Sequence, residues 1–236
     1  MKNSNTDIPS CTKCGNTSGI LCNLSMKEKD ELSCGKQENI FKKGEVIFKE
    51  GHNAYNLFCI HKGKVKLSKL GKDGKEQIVR LAKAGDILGY RSLLSNEPYH
   101  GTATAMEETE ICIITKEVFQ KVNEDNYKLS LNLIQLLSKD LKSAEQHLID
   151  VAQKTVKERI SEALMLLIDS FGYLEDNRTI NVALTRSEIA DLAGTTTETT
   201  IRTLAQLSTD NIIKLEGKNI LVTNYKELVK TSNTYD

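Results

Sequence analysis

Short apolar segments and turn residues alternate between about residue 39 and residue 116. Apolar or alternating runs of strand length occur six times in this stretch. They comprise residues 46–48, 57–60, 65–70, 78–81, 102–105 and 111–114. Glycines fall between these runs or at their ends, and Lys72-Asp73-Gly74 is typical of a hairpin turn. Many short strands joined by close turns predict an antiparallel barrel or jelly-roll sandwich.

The apolar period changes after Lys116, and no glycine follows until Gly172. Apolar residues now recur every three or four positions, which predicts a long amphipathic helix. The stripe comprises Leu129, Leu133, Leu137, Leu141, Ala144, Leu148 and Val151. A helix of about 30 residues is about 45 Å long, longer than a small barrel can cover. We therefore expect the stripe, from Leu129 to Leu148, to form a twofold dimer interface; packing on its own domain is the alternative. A second helix is expected at roughly 156–171.

Residues 184–204 have the layout of a helix-turn-helix motif. Thr185 can cap the first helix, Gly194 allows the tight turn, and Thr196 or Thr197 can cap the second helix. The positions expected to face the core are Ile189, Ala190, Leu192, Ile201 and Leu204. Residues 212–222 then predict two strands around a glycine turn, so the whole is a winged helix-turn-helix.

In such a motif the second helix enters the major groove of DNA. Glu198 can accept a hydrogen bond from a cytosine amino group, and Arg202 can donate two to guanine. The alternative for this pair is a surface ion pair one helical turn apart. The candidate DNA-binding residues are Thr185, Arg186, Thr196, Thr197, Glu198, Ile201, Arg202 and Lys218.

Charge gives no general sign of nucleic-acid binding. The chain has 32 Lys and Arg residues against 32 Asp and Glu residues. From Val151 onward the counts are ten and twelve, so DNA affinity would depend on a few directed contacts. No apolar run is long enough for a membrane span, and the N-terminus lacks the pattern of a signal peptide. We expect a cytoplasmic protein without a membrane partner.

Six cysteines in a reducing compartment favour metal or redox chemistry over disulfides. Cys11, Cys14 and Cys22 lie in one short arm, and clustered thiolates suit zinc or an iron–sulfur cluster. A fourth ligand is needed, and Cys34 could serve, whereas Cys59 is expected to be a packing residue. A bare thiol switch stays open. The four histidines show no ligand-like spacing, so we expect no jelly-roll metalloenzyme and no enzyme activity.

The ordered features resemble the Crp/Fnr family of bacterial transcription regulators. The residues that carry this resemblance are Lys43-Gly44-Glu45, Glu50-Gly51, Lys62-Gly63-Lys64, Gly85-Asp86-Ile87-Leu88-Gly89 and the segment 184–202. The resemblance implies an α+β protein with a cyclic-nucleotide-binding-like β-roll, a long dimerisation helix and a winged helix-turn-helix domain. The expected boundaries are 1–28 for the cysteine arm, 29–118 for the roll, 119–150 for the dimerisation helix and 151–236 for the DNA-binding domain. Such a homodimer binds palindromic double-stranded DNA and acts with RNA polymerase.

The resemblance also bears on base recognition. Glu198 and Arg202 stand where the family's base-reading pair stands, which implies a half-site with a TGA core. Ile201 departs from the serine of the oxygen-sensing branch, and Thr197 departs from the arginine of the cAMP-binding branch. The outer bases of the half-site therefore stay open.

The effector follows from two further comparisons with the family. At the positions where the cAMP-binding branch has a Gly-Glu pair and an Arg-Ser pair, this chain has Gly89-Tyr90 and Tyr99-His100, so we do not expect cAMP to bind. The oxygen-sensing branch instead holds a [4Fe-4S] cluster with three arm cysteines and one roll cysteine.

Matching positions make Cys11, Cys14, Cys22 and Cys112 the expected cluster ligands, although the interval from Cys14 to Cys22 is two residues longer than in that branch. Oxygen or nitric oxide would then be the signal. The alternatives are zinc or no metal at the cysteines, and a ligand other than cAMP, or haem, in the roll.

Overall fold

Antiparallel strands make up most of the chain between Lys36 and Thr115. The computed structural model describes residues 10–16 and 19–232. Its strands here are β1 Lys36–Phe41, β2 Val46–Phe48, β3 Asn56–Lys62, β4 Lys64–Leu70, β5 Glu76–Lys83, β6 Ile87–Leu88, β7 Thr102–Ala105 and β8 Thr109–Thr115. They form two four-stranded sheets, ordered β1-β8-β3-β6 and β2-β7-β4-β5. The six predicted strands are confirmed, and β1 and β6 are additional.

The two faces of the sheet that contains β3 and β8 bury different cores. Phe58 and Ile60 of β3 point into the roll and pack with Ile111 of β8, whereas Leu57 and Ile114 belong to a second core on the opposite face. This separation follows from the period of two along a strand, which sends successive side chains to opposite faces.

Helices cover the outer face of this sheet. They are a 3-10 turn at Ile20–Asn23, α1 Met26–Cys34, α2 Tyr90–Ser95, α3 Lys116–Glu124 and α4 Tyr127–Gln153. The predicted dimerisation helix of 119–150 is thus two helices rather than one. The break has a local cause, because the Asn126 side chain accepts a hydrogen bond of 2.9 Å from the Leu129 N–H and caps the start of α4.

The apolar stripe predicted for dimerisation is partly wrong. Leu129 and Leu133 are only 1% and 2% exposed and lie in the outer-face core of their own unit, so they are not available to a second chain. Leu137 is partly buried against the same core. Leu141, Ala144 and Leu148 are exposed. α4 therefore has a second, exposed apolar face. The predicted stripe lies on this face only in its second half, at Leu141 and Leu148.

The chain forms two compact units. One comprises the described residues up to Lys69 together with Val79–Leu141, and the other comprises Leu70–Ile78 and the described residues from Lys142 onward. The second contains α5 Val156–Phe171, α6 Arg186–Ala193, α7 Thr197–Thr209, β9 Ile213–Glu216, β10 Asn219–Val222 and α8 Tyr225–Ser232. The predicted α5 and the winged helix-turn-helix are confirmed. Among the described residues, no helix combines the length and apolar character that crossing a membrane requires.

Candidate DNA-binding surface and thiol site

A capping box fixes the start of α6, the first helix of the motif. The Glu188 N–H donates to Thr185 Oγ1 at 3.1 Å, and the Glu188 carboxylate accepts from the Thr185 N–H at 2.9 Å. Gly194 ends the helix with φ 64°, a left-handed conformation that favours glycine. Ile189, Ala190 and Leu192 are buried as predicted.

The second helix, α7, begins after Thr196, whose Oγ1 accepts from the Thr199 N–H at 3.2 Å. Its buried residues are Thr200, Thr203, Leu204 and Leu207. The prediction that Leu204 faces the core is confirmed, but that for Ile201 is wrong, since this residue is 51% exposed. Thr200 and Thr203 complete the buried stripe at three- and four-residue spacing, which turns Ile201 outward.

The outward face of α7 combines polar, charged and apolar groups. Thr197, Glu198, Ile201 and Arg202 are all exposed on it. The Arg202 guanidinium lies 3.5 Å from Thr199 Oγ1. Within the described residues no ion pair joins Arg202 to Glu198, so both side chains keep hydrogen-bonding capacity for another molecule.

The wing is held to the start of α6. β9 and β10 pair through a turn at Gly217 and Lys218, and the Arg186 guanidinium donates to the Gly217 carbonyl at 3.0 Å. Burial lowers the pKa of Arg186 from its usual value. Lys218 is exposed beside this turn. Arg186 thus positions the wing, a role that the sequence did not predict, and its contact with DNA stays a prediction.

Two thiols lie opposite each other on the sheet of the first unit. Cys59 of β3 pairs with Cys112 of β8 in the antiparallel register, and Glu38 of β1 is the other neighbour of Cys112. Directly opposed residues have side chains on the same face. That face is the outer one, because Leu57 and Ile114, two positions away from these cysteines, belong to the core under the helices.

The arm is attached to this face at β3. Cys14 Sγ lies 3.5 Å from His61 Nδ1, and the Asn16 amide donates to the carbonyls of Ile60 and His61 at 3.3 and 3.2 Å. The Cys11 N–H donates to Ser33 Oγ of α1 at 2.9 Å. Residues 17 and 18 of the arm lie outside the described residues.

Electrostatic effects connect these thiols. Burial raises the pKa of Cys112 to about 11, against the opposing effect of Lys36, whose Nζ lies 3.8 Å from the sulfur. Burial also raises the pKa of Cys22, and the neighbouring thiols of Cys14 and Cys11 raise it further. The pKa of Cys59 lies far above its usual range through burial, then through Cys112 and the three arm thiols. The five thiols therefore share one neighbourhood, and burial favours the protonated form of Cys22, Cys59 and Cys112.

The arrangement supplies soft donors, but their side chains are not closed around one point. In the parts of the chain that the structure describes, no three His, Cys, Asp or Glu side chains converge as metal ligands. Cys34 is exposed. Metal binding would require the arm to close on the sheet and the thiols to lose their protons.

Aromatic side chains fill the inside of the roll. The Phe48 ring stacks on Phe58 and Tyr99 with centroids 5.0 and 4.3 Å apart. The Tyr99 hydroxyl donates to the Asn56 carbonyl at 3.0 Å. His100, next to Tyr99, pairs with Glu97 at 2.9 Å. The pair Tyr99-His100, which the resemblance sets against the phosphate-binding pair of the cAMP-binding branch, is thus a packed aromatic ring and a surface histidine in contact with Glu97.

Known protein families match both the roll and the winged helix-turn-helix part of the chain. Residues 38–126 match the model of the cyclic nucleotide-binding domain, and residues 158–231 match that of the Crp-like helix-turn-helix domain. The chain belongs to the Crp/Fnr family of transcription regulators. It is a regulator of the Crp/Fnr type with a helix-turn-helix DNA-binding domain, as predicted.

Two curated regulators and one solved structure illustrate what this chain is similar to. A CRP-like cAMP-activated global transcriptional regulator of Mycobacterium tuberculosis is 28% identical over 191 residues, covering 80% of this chain and 85% of the relative. The fumarate and nitrate reduction regulatory protein of Vibrio cholerae is 26% identical over 209 residues, covering 88% and 83%. The structure of FixK2 from Bradyrhizobium japonicum has a TM-score of 0.76 and 25% identity, covering 85% of this chain and 99% of FixK2.

Proposed function

We propose that this Crp/Fnr regulator binds palindromic DNA as a homodimer and that a thiol-bound [4Fe-4S] cluster controls its binding. The observation that carries the proposal is the attachment of the cysteine arm to the outer face of the roll, where Cys14 contacts His61 of β3 and the neighbouring strand β8 carries Cys112. The packed interior of the roll supports a signal that enters elsewhere. Activation through RNA polymerase belongs to the same proposal.

The donor set fits an iron–sulfur cluster in its chemistry. Cys11, Cys14 and Cys22 of the arm with Cys112 of β8 provide the four thiolates that such clusters use. The surrounding core of Leu57, Ile114 and neighbouring residues is apolar. A bound cluster supplies a group that oxygen or nitric oxide attacks. Zinc uses the same donors and is the second candidate at this site.

Residues of the first unit connect the arm with α4. Cys22 lies in the 3-10 turn just before α1, and Glu28 in the first turn of α1 accepts hydrogen bonds from the Ser25 N–H at 2.7 Å and from the Asn126 amide at 2.5 Å. Asn126 in turn caps α4. Closing the arm on the sheet would therefore fix α1 and, through Glu28, the start of the dimerisation helix.

The homodimer is proposed on the exposed apolar face of α4. Tyr127, Leu131, Ile134, Leu141 and Leu148 are exposed there. Their positions, with Ser138 and Glu145, follow the alternating four- and three-residue spacing of a coiled-coil seam. Two copies of α4 paired in this way place two recognition helices for the two halves of a palindrome.

The proposal is tested on protein purified without oxygen. We expect bound iron and acid-labile sulfide, a visible absorption band that bleaches in air, and loss of affinity for a palindromic TGA site after bleaching. A Cys14→Ala variant should lose the iron, whereas the matched Cys34→Ala variant should keep it. A colourless protein without iron and sulfide after anaerobic reconstitution would refute the cluster, and stoichiometric zinc in that protein would favour the second candidate.

A further inference from the structure

The outer face of the roll carries a second thiol that the proposed ligand set leaves out. Cys59 is the direct cross-strand neighbour of Cys112, and its side chain is partly buried against the outer-face core. Opposed residues in an antiparallel pair have Cβ atoms about 4.5–5.5 Å apart. Two sulfurs at this spacing can reach one metal site from the same side.

The arm contacts the strand of Cys59 rather than that of Cys112. Cys14 and Asn16 contact His61 and Ile60, which follow Cys59 on β3. Gly19 passes so close to the turn before β6 that a Cβ atom at this position would lie 2.1 Å from the Gly85 carbonyl oxygen. β6 is the other neighbour of β3, with Ile87 opposite Cys59. The arm thus lies over the β3 side of the sheet.

Cys112, in contrast, has charged neighbours of its own. Lys36 Nζ lies 3.8 Å from its sulfur and 2.8 Å from the Glu38 carboxylate. Cys59 interacts electrostatically with all three arm thiols as well as with Cys112. The structure therefore offers the arm two sheet thiols, and the contacts of the arm favour the one that the sequence treated as packing.

We propose that Cys59 is a second ligand thiol on the sheet, which completes the metal or cluster site of the arm interchangeably with Cys112. The inference rests on the proposed function in so far as the arm holds metal through its thiols. As the sulfur–metal bond forms, the S–H proton of Cys59 passes to solvent, and no electron is transferred. A site with five thiols for four positions can lose one sheet thiol and still close.

Four variants test this inference. Cys59→Ala, Cys112→Ala and the double variant are compared with Cys34→Ala, whose exposed thiol is the matched control, and circular dichroism verifies that each folds. Each protein is reconstituted anaerobically with ferrous iron and sulfide, and in parallel titrated with Co²⁺, whose thiolate charge-transfer absorption reports sulfur ligands. Serine replacements, which keep the side-chain size, are used where an alanine variant does not fold.

We expect each single variant to keep more than about half of the wild-type iron and Co²⁺–thiolate absorption, and the double variant to keep less than about a tenth. The inference is overturned if Cys112→Ala alone binds as little metal as the double variant, or if the double variant still binds metal. If Co²⁺ binding follows this pattern in a protein that takes up no iron or sulfide, the cluster proposal is refuted and the ligand role of Cys59 is supported. A wild-type protein that binds neither would overturn both.

Discussion

Leu141 provides a quantitative test of the proposed dimer. It lies on the exposed face of α4 and is 61% exposed. Burying a whole leucine side chain contributes about 1.5–3 kcal/mol, so covering the exposed part contributes about 1–2 kcal/mol per chain. Twofold symmetry doubles this value. We expect Leu141→Ala to remove about 2–4 kcal/mol of dimer stability, which raises the dimer dissociation constant about 30- to 700-fold in sedimentation velocity.

Leu133 is the matched control on the opposite face of the same helix. It is 2% exposed and packs in the outer-face core, so Leu133→Ala should lower the free energy of unfolding by about 2–5 kcal/mol. The dissociation constant of the folded dimer should change little. An unchanged dissociation constant for Leu141→Ala, or an equal rise in both folded variants, would refute the assignment of the exposed face to the dimer.

DNA affinity, base preference and acid stability supply three further tests. Arg202→Ala should weaken binding to a TGA site by about 1–3 kcal/mol and relax the preference for guanine. Lys218→Ala should weaken binding to all DNA sequences alike and reduce the salt dependence of binding by about one phosphate contact, as measured by fluorescence anisotropy. A loss of affinity for Arg202→Ala that does not depend on the DNA sequence would contradict base reading. Ile201 exposes an apolar side chain where a thymine methyl group can contact it, so uracil in place of an outer thymine should weaken the wild type but not Ile201→Ala, and equal losses would count against this contact. Hydrogen bonds from Ser25 lower the pKa of Glu28 below its usual 4.5. The ionised carboxylate therefore stabilises the folded protein above pH 4.5, and this stabilisation is lost as the pH falls through the lowered pKa. The difference in unfolding free energy between the wild type and Glu28→Gln, measured in urea, should shrink on acidification, and a difference that does not change with pH would contradict this reasoning.

The elements that the sequence predicts well are those with a strong local period. The alternation in β3, β4 and β8 and the capped apolar pattern of α5 and α6 each report a local preference. β6 has only two residues, Ile87–Leu88, too few for a period to emerge. The break before α4 depends on the single side chain of Asn126, which a continuous three/four pattern conceals.

The candidate sites show the same division between local and long-range information. The identity of Glu198 and Arg202 as outward residues of α7 follows from helical spacing. The spacing does not tell which of two apolar stripes on α4 faces the roll, and the predicted dimer stripe wrongly includes Leu129 and Leu133, which are buried. The proposed role of Cys59 depends on its register opposite Cys112, and strand register is a tertiary property. The only sign of this pairing in the sequence is that Cys59 and Cys112 both lie in predicted strands of the same roll.

The placement of the thiols also supports the proposed sensing by a roll whose interior is packed. β8, which carries Cys112, continues directly into α3 at Lys116, and α1 reaches the cap of α4 through Glu28 and Asn126. Farther along α4, Asp140 accepts a hydrogen bond from the buried Tyr90 hydroxyl. All these contacts lie within the first unit. Because the same face of the sheet holds the thiols and packs against α4, a change in the arm can act on the proposed dimer helix without passing through the aromatic core of the roll.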